Sequence, residues 1–168
     1  MAINHNKNTV HIASPYDDLI LQLNIKLNAT YIPYGSNGRK KAMMQLEQDN
    51  NASGYSKANA VSRTVSKGSH LYKNNSWDLV DAEEEAEFSY DSIKSEDLPK
   101  ELQGKTTEEI KAYVAKSRAK RAKIQEEIAE LNKKRRKFIA SKEKGNGLES
   151  AMISALKKQA KRKNYTWN

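Results

Sequence analysis

The sequence predicts a mainly α-helical protein built from extended helices, with at most one short strand near the amino end. Three observations carry this. A stretch free of proline and glycine, from 106 to 142, opens on a helix-capping pattern. Apolar residues recur at spacings of three and four rather than two. Apolar residues are 37% of the 168 and charged residues 30%, with a mean hydropathy of -0.91, which leaves little surface for a thick core.

Val10 and Ile12 alternate as a short strand would. Ser14 is placed to cap a helix, with Pro15 at its first position and Asp17 and Asp18 at its positive end. Leu19, Ile20, Leu23 and Leu27 form its apolar stripe, widened by Leu21 and Ile25. The chain should leave this helix near Asn28, because Tyr31-Ile32-Pro33-Tyr34-Gly35 reads as extended. This is the most apolar helix, and one faint strand is too little to cover it.

Residues 36–68 read as helical but polar, with a break expected around Asn50, Asn51 and Gly54. In the following segment, to residue 82, Trp77 is expected to dock onto a helix face. Residues 83–104 read as an acidic linker with little fixed structure, and Ser95 as the cap of a short helix that Gly104 ends. The long helix of about 106–142 follows, with Thr106 and Glu109 as its capping box. Ile110, Val114, Ile124, Ile128, Leu131 and Phe138 share one seam, which Ser117, Arg121 and Arg135 interrupt. Its expected packing is coiled-coil-like, either as a hairpin with the polar helix of 36–68 or by self-association. Residues 144–168 give a Gly145-Asn146-Gly147 joint, a basic amphipathic helix carrying Met152, Ile153 and Leu156, and a short tail. The organisation expected is therefore 1–35, 36–82, 83–104, 105–143 and 144–168.

Charge is unevenly spread around a net +9. Residues 74–104 carry two basic and ten acidic side chains, and 105–143 carry 13 basic and six acidic. Mutual neutralisation and a polyanion-binding surface both fit this pattern, the latter through Lys133–Lys137 or Lys157–Lys163. Consecutive basic residues wrap around a helix, which favours solvated faces. Cysteine is absent, which excludes disulfides and thiolate metal sites. No apolar run approaches the roughly 20 residues that span a bilayer, and the first residues lack a basic-then-apolar signal pattern. Localisation is open between a bacterial envelope and the cytoplasm.

No chemistry is legible. His5, His11 and His70 are far apart and lack metal-ligand spacing. Asp17 and Asp18 point about 100° apart on a helix, so they do not converge as ligands, and helix-end stabilisation explains them. Glu83-Glu84-Glu85 reads as a solvated charge run. No catalytic, cofactor-binding or metal residue is assigned, and neither an enzymatic activity nor a small-molecule substrate is expected.

The stretch HIASPYDDLILQLNIKLNATYIPYG resembles the segment after the last strand of the von Willebrand factor type A (VWA) domain in a group of bacterial proteins. There a T/S-P-Y-D-x-x-(I/L) helix leads to L-N-x-T-Y-I-x-Y-G. The resemblance continues through Gly38-Arg39-Lys40-Lys41, QLEQDNNA from Gln45, Ala60-Val61-Ser62-Arg63 and Tyr72-Lys73-Asn74. It then takes in Trp77 to Ala82, LPKELQGKTTEEIKAYV and IQEEIAELNKKR, and so spans about 9–142. The D-x-S-x-S that holds a divalent metal in VWA domains does not occur, and Asp91-Ser92-Ile93-Lys94-Ser95 has the wrong spacing. The strands of the doubly wound sheet are missing too. The resemblance therefore implies the closing helix of such a domain plus a helical C-terminal extension, with Leu19, Ile20, Leu23 and Leu27 shaped to cover an absent sheet. It implies a non-enzymatic interaction module whose partner is a protein or the rest of a VWA domain. Self-association, nucleic acid and anionic lipid are the alternatives.

Overall fold

The computed structural model describes residues 12–145, with side chains to 142. It is mainly helical, as the sequence predicts. The elements are α1 (Asp17–Asn28), α2 (Gly38–Tyr55), α3 (Lys57–Lys67), α4 (Leu79–Ala82), three 3-10 turns (Tyr90–Ser92, Ser95–Asp97, Lys100–Leu102) and α5 (Thr107–Gly145). Val10 lies outside the described residues, and Ile12 is not in a strand. The nearest thing to a sheet among the described residues is a single antiparallel bridge between Pro33 and Asp78.

At 39 residues α5 is the spine, about 58 Å long at 1.5 Å per residue. Its start is the expected capping box. Thr106 N–H donates to Glu109 Oε2 (2.8 Å), and Glu109 N–H donates to Thr106 Oγ1 (3.3 Å). The hairpin partner is corrected. α5 lies chiefly along α1, then against α4 and α3, while α2 packs on α3. The hairpin that does form is α2 with α3, since Gln45 and Asp49 sit across from Arg63 and Lys67.

Two apolar clusters sit along the spine. Leu23 and Leu27 of α1 meet Ile128, with Tyr31, Val65, Ile124 and Leu131 around them. Ile110 and Val114 meet Ile32, Leu79, Val80, Leu98 and Leu102, flanked by Tyr34, Phe88, Tyr90 and Ile93. Thus Ile20, Leu23 and Leu27, expected to need an absent sheet, are buried within these residues. The covering surface is helical, supplied from far along the chain by α3 and α5. Leu19 (46% exposed) and Ile25 (72%) are the stripe residues left outside.

Four local expectations are also corrected. Ser14 does not cap α1, which starts at Asp17 after Tyr16, so Pro15 lies before the helix. Instead Ser14 N–H donates to Asp17 Oδ2 and Tyr16 N–H to Ser14 Oγ, closing a turn. The break in the polar helix falls at Ser56, not at 50–54, because extended Ser56 caps α3 by accepting from Asn59 N–H. Ser95 caps nothing; 3-10 turns replace the short helix, and Gly104, at φ +75°, ends them. The acidic linker is folded. Phe88, Tyr90, Ile93, Leu98 and Leu102 pack onto α5's first turns, which gives this charged stretch its apolar anchor. Trp77 docks as expected, nearly fully buried, with its ring 5.5 Å from that of Tyr31.

Candidate functional site

The sites with built polar geometry lie where charged residues interrupt the apolar stripes. On α5, Val114, Arg121, Ile128 and Arg135 fall at successive heptad steps, so an arginine alternates with an aliphatic side chain. In water-free surroundings each guanidinium must be paired and hydrogen-bonded to be tolerated.

Arg121, between the two apolar clusters, is satisfied almost completely. Its Nη1 donates to Asp78 Oδ2 (2.7 Å) and Asp81 Oδ1 (2.9 Å). Its Nε donates to Thr30 Oγ1 (3.0 Å) and Nη2 to Thr30 O (2.9 Å). The guanidinium lies 4.4 Å from the centre of the Tyr31 ring, a cation–π arrangement. The carboxylates are satisfied in turn. Asp78 Oδ1 accepts from Ile32 N–H (2.7 Å), and its Oδ2 accepts from Asp81 N–H (3.2 Å), capping α4. Asp81 Oδ2 accepts from Asn74 N–H (2.7 Å). Local sequence makes this possible. Asp78 and Asp81 stand three apart on one helical turn, and Leu79 N–H bonds Ile32 O, which brings the 30–34 exit beside them.

Two carboxylates share one guanidinium here, in a buried setting. Burial pushes the Asp81 carboxyl above its ordinary value; Arg121 opposes this and Asp78 adds to it. Burial disfavours the charged Arg121, but the hydrogen bond and charge of Asp78, with Asp81, outweigh it and hold the guanidinium above its ordinary value. The Tyr31 phenol is pushed well above the tyrosine range by burial, against the pull of Arg121.

A second network joins α1, α2 and α3. Lys67, 1% exposed, uses all three ammonium protons, on Asp49 Oδ2 (2.5 Å), Asn28 Oδ1 (2.6 Å) and Asn24 Oδ1 (3.0 Å). Asn24 and Asn28 return their amide protons to Asp49 Oδ2, and Arg63 Nε donates to Asp49 Oδ1 (2.6 Å). For Asp49, burial alone would raise the carboxyl, but the bonds from Lys67, Asn28 and Asn24 hold it below its ordinary value. For Lys67 the balance reverses: burial holds it below the lysine range although Asp49 pulls upward. A third link is Arg135 Nε to buried Asp17 Oδ1 (2.7 Å).

These networks do structural work. Their donors and acceptors are spent on one another. An open groove of ≈ 520 Å³ runs between Val65–His70 and Ala122–Asn132 of α5, but its polar lining, His70, Gln125, Glu126 and Asn132 among it, forms no converging constellation. Among the described residues no three His, Cys, Asp or Glu side chains could hold a metal ion. Asp91 sits on an exposed 3-10 turn and Ser92 donates its hydroxyl to Ser89 O, so this stretch does not form the metal loop of a VWA domain.

The residues weighed from sequence are dispersed. His5, His11 and Lys157–Lys163 lie outside the described residues, and His70 is exposed beside the groove. Asp17 and Asp18 both stand in the first turn of α1, as expected, and diverge: Asp17 faces inward to Arg135 while Asp18 pairs outward with Lys57 (2.7 Å). Glu83-Glu84-Glu85 is not simply solvated: Glu83 pairs with Arg118 and accepts from Tyr90, Glu84 pairs with Lys73, and Glu85 accepts from Asn75. No local pattern in the sequence marks Asp49, Lys67, Asp78 and Asp81 as partners of buried charges. The available signal was the pair of arginines in the apolar seam, each of which demands an acid from elsewhere. The chain matches no family model, no curated protein and no solved structure.

Proposed function

We propose that this chain is a non-enzymatic protein-interaction module, the helical C-terminal region of a bacterial VWA domain-containing protein whose metal-dependent adhesion site lies outside it. The observation that carries the reading is the set of large apolar side chains left in solvent on α1 and α2. Leu19 and Ile25 on α1, and Met43 (70% exposed), Met44 and Leu46 on α2, stand in solvent while every buried charge described above is paired. Exposed apolar side chains on a rigid, internally neutralised scaffold suit protein contact better than chemistry. The VWA context rests on the ordered resemblance across 9–142.

The test is titration of a metal-loaded bacterial VWA domain of the resembling group against this chain by calorimetry. Saturable binding that Ile25→Ser and Leu19→Ser weaken together supports the reading. No heat at concentrations of about 100 μM, with helical content intact by circular dichroism, removes the VWA partner. Sedimentation of the chain alone over a concentration series tests self-association, and a monomer throughout removes it.

A further inference from the structure

We infer that the carboxy-terminal part of α5 carries a sequence-independent binding surface for the phosphate backbone of nucleic acid, formed by Lys133, Lys134, Arg136 and Lys137. This goes beyond the proposed protein-contact role and does not depend on it. As a bare sequence, Lys133-Lys134-Arg135-Arg136-Lys137 wraps around the helix. The structure sorts it. Arg135 turns inward, half-buried, and its charge is spent on Asp17. The other four are exposed and make no ion pair among the described residues. At about 100° per residue they fall within an arc of roughly 160°, opposite the seam of Leu131, Arg135 and Phe138. One turn of helix therefore presents four unneutralised cations on one side. Lys133 and Lys137 are about 6 Å apart along the axis.

The surroundings set this tract apart from the other lysines of α5. No carboxylate occurs from 131 to 142. Glu130, three and four positions before Lys133 and Lys134, is the one carboxylate at helical spacing on their amino-terminal side, whereas Lys123 has two, Glu126 and Glu127, at the same spacings. The outward arc also contains no large apolar side chain. Its remaining members are Ala140 and Ser141, while Phe138 lies edge-on to Tyr16 and Ile139 is half-buried. Helices that bind lipid surfaces add an apolar face to the basic one, and none is exposed here. A polyanion held by charge alone is what this surface fits, and among polyanions a nucleic-acid backbone supplies regularly spaced phosphates without requiring insertion.

The test uses the full chain, a fluorescent 20-base-pair duplex of random sequence, and phosphatidylserine vesicles. Four phosphate contacts imply a salt slope of about −3 to −4, so affinity should fall on the order of 100-fold between 50 and 200 mM salt. The variant Lys133→Gln/Lys134→Gln/Arg136→Gln/Lys137→Gln, checked for unchanged helicity and melting, should lose at least about 30-fold in affinity at low salt and most of the slope. The control Lys116→Gln/Lys120→Gln/Lys123→Gln, which removes similar charge from the same helix, should stay within about threefold. Four results overturn the inference: no duplex binding at 50 mM salt, undiminished binding by the quadruple variant, equal weakening by the control, or binding to vesicles but not to duplex.

Discussion

Replacing Arg121 with Met keeps an unbranched apolar stem out to about the position of Nε while deleting the guanidinium and its stacking on Tyr31. The structure fixes what is then lost. Asp78 and Asp81, both buried, surrender their shared cation at 2.7 and 2.9 Å, and Thr30 loses donors to its hydroxyl and carbonyl. Removing one partner of a buried pair leaves an uncompensated charge, which costs about 3–5 kcal/mol. Here two carboxylates are stranded, but each keeps one or two backbone N–H donors, so the lower half of that range, about 3 kcal/mol, is expected. For a chain of this size that lowers the melting temperature by roughly 10 °C. The measurement is urea unfolding followed by circular dichroism, run as a double-mutant cycle with Asp81→Asn. Because the introduced amide is neutral, the second change should recover part of the loss, giving a coupling of at least about 1 kcal/mol. Asp78 is left unchanged because it also caps α4 and holds Ile32 N–H. A cost under about 1 kcal/mol for Arg121→Met, or strict additivity with Asp81→Asn, would refute the view that this cluster joins the two halves of the core.

Three further outcomes follow from other parts of the structure. Asp49→Asn should change the acid limb of the stability–pH curve. A carboxyl held below its ordinary value in the folded state contributes stability that is complete above about pH 4 and lost as pH falls further, so the variant should be less stable at neutral pH and flatter below pH 4. Thr106→Ala should cost about 1 kcal/mol by opening the capping box, read as a lower denaturation midpoint with unchanged slope. Gly68→Ala should cost about 1–3 kcal/mol, because a methyl group there meets Ile128 Cγ2 at 2.9 Å, and thermal melting reads it directly.

The elements most legible in the sequence were those whose signals are local. The Thr106–Glu109 box, the unbroken helix behind it, the exit at Asn28 and the burial of Trp77 each depend on residues within a few positions of one another, or on size and apolarity alone. Ser14 lies outside the helix although its pattern is local: Ser14 Oγ accepts from Tyr16 N–H and Asp17 Oδ2 from Ser14 N–H, so the reciprocal pair closes the turn that leads into α1. The acidic segment departs from its sequence signal for a different reason. Its charge count suggests a solvated linker, yet Phe88, Tyr90, Ile93, Leu98 and Leu102 are spaced so that 3-10 turns can set them all on α5.

By itself the sequence determined that the chain is helical, that α5 is long and capped, and that its apolar seam is broken by two arginines. Helix propensity, capping and 3.6-residue periodicity act over one or two turns, so they are written into short stretches of chain. Only the tertiary structure decided what those breaks are for. Arg121 meets acids 40 and 43 positions away and a threonine 91 positions away, and Arg135 meets Asp17 across 118. A lone charge in an apolar seam has a high cost until a distant partner arrives. Which carboxylate arrives is fixed by packing between helices, and that choice also leaves the other four basic residues of 133–137 facing the solvent together.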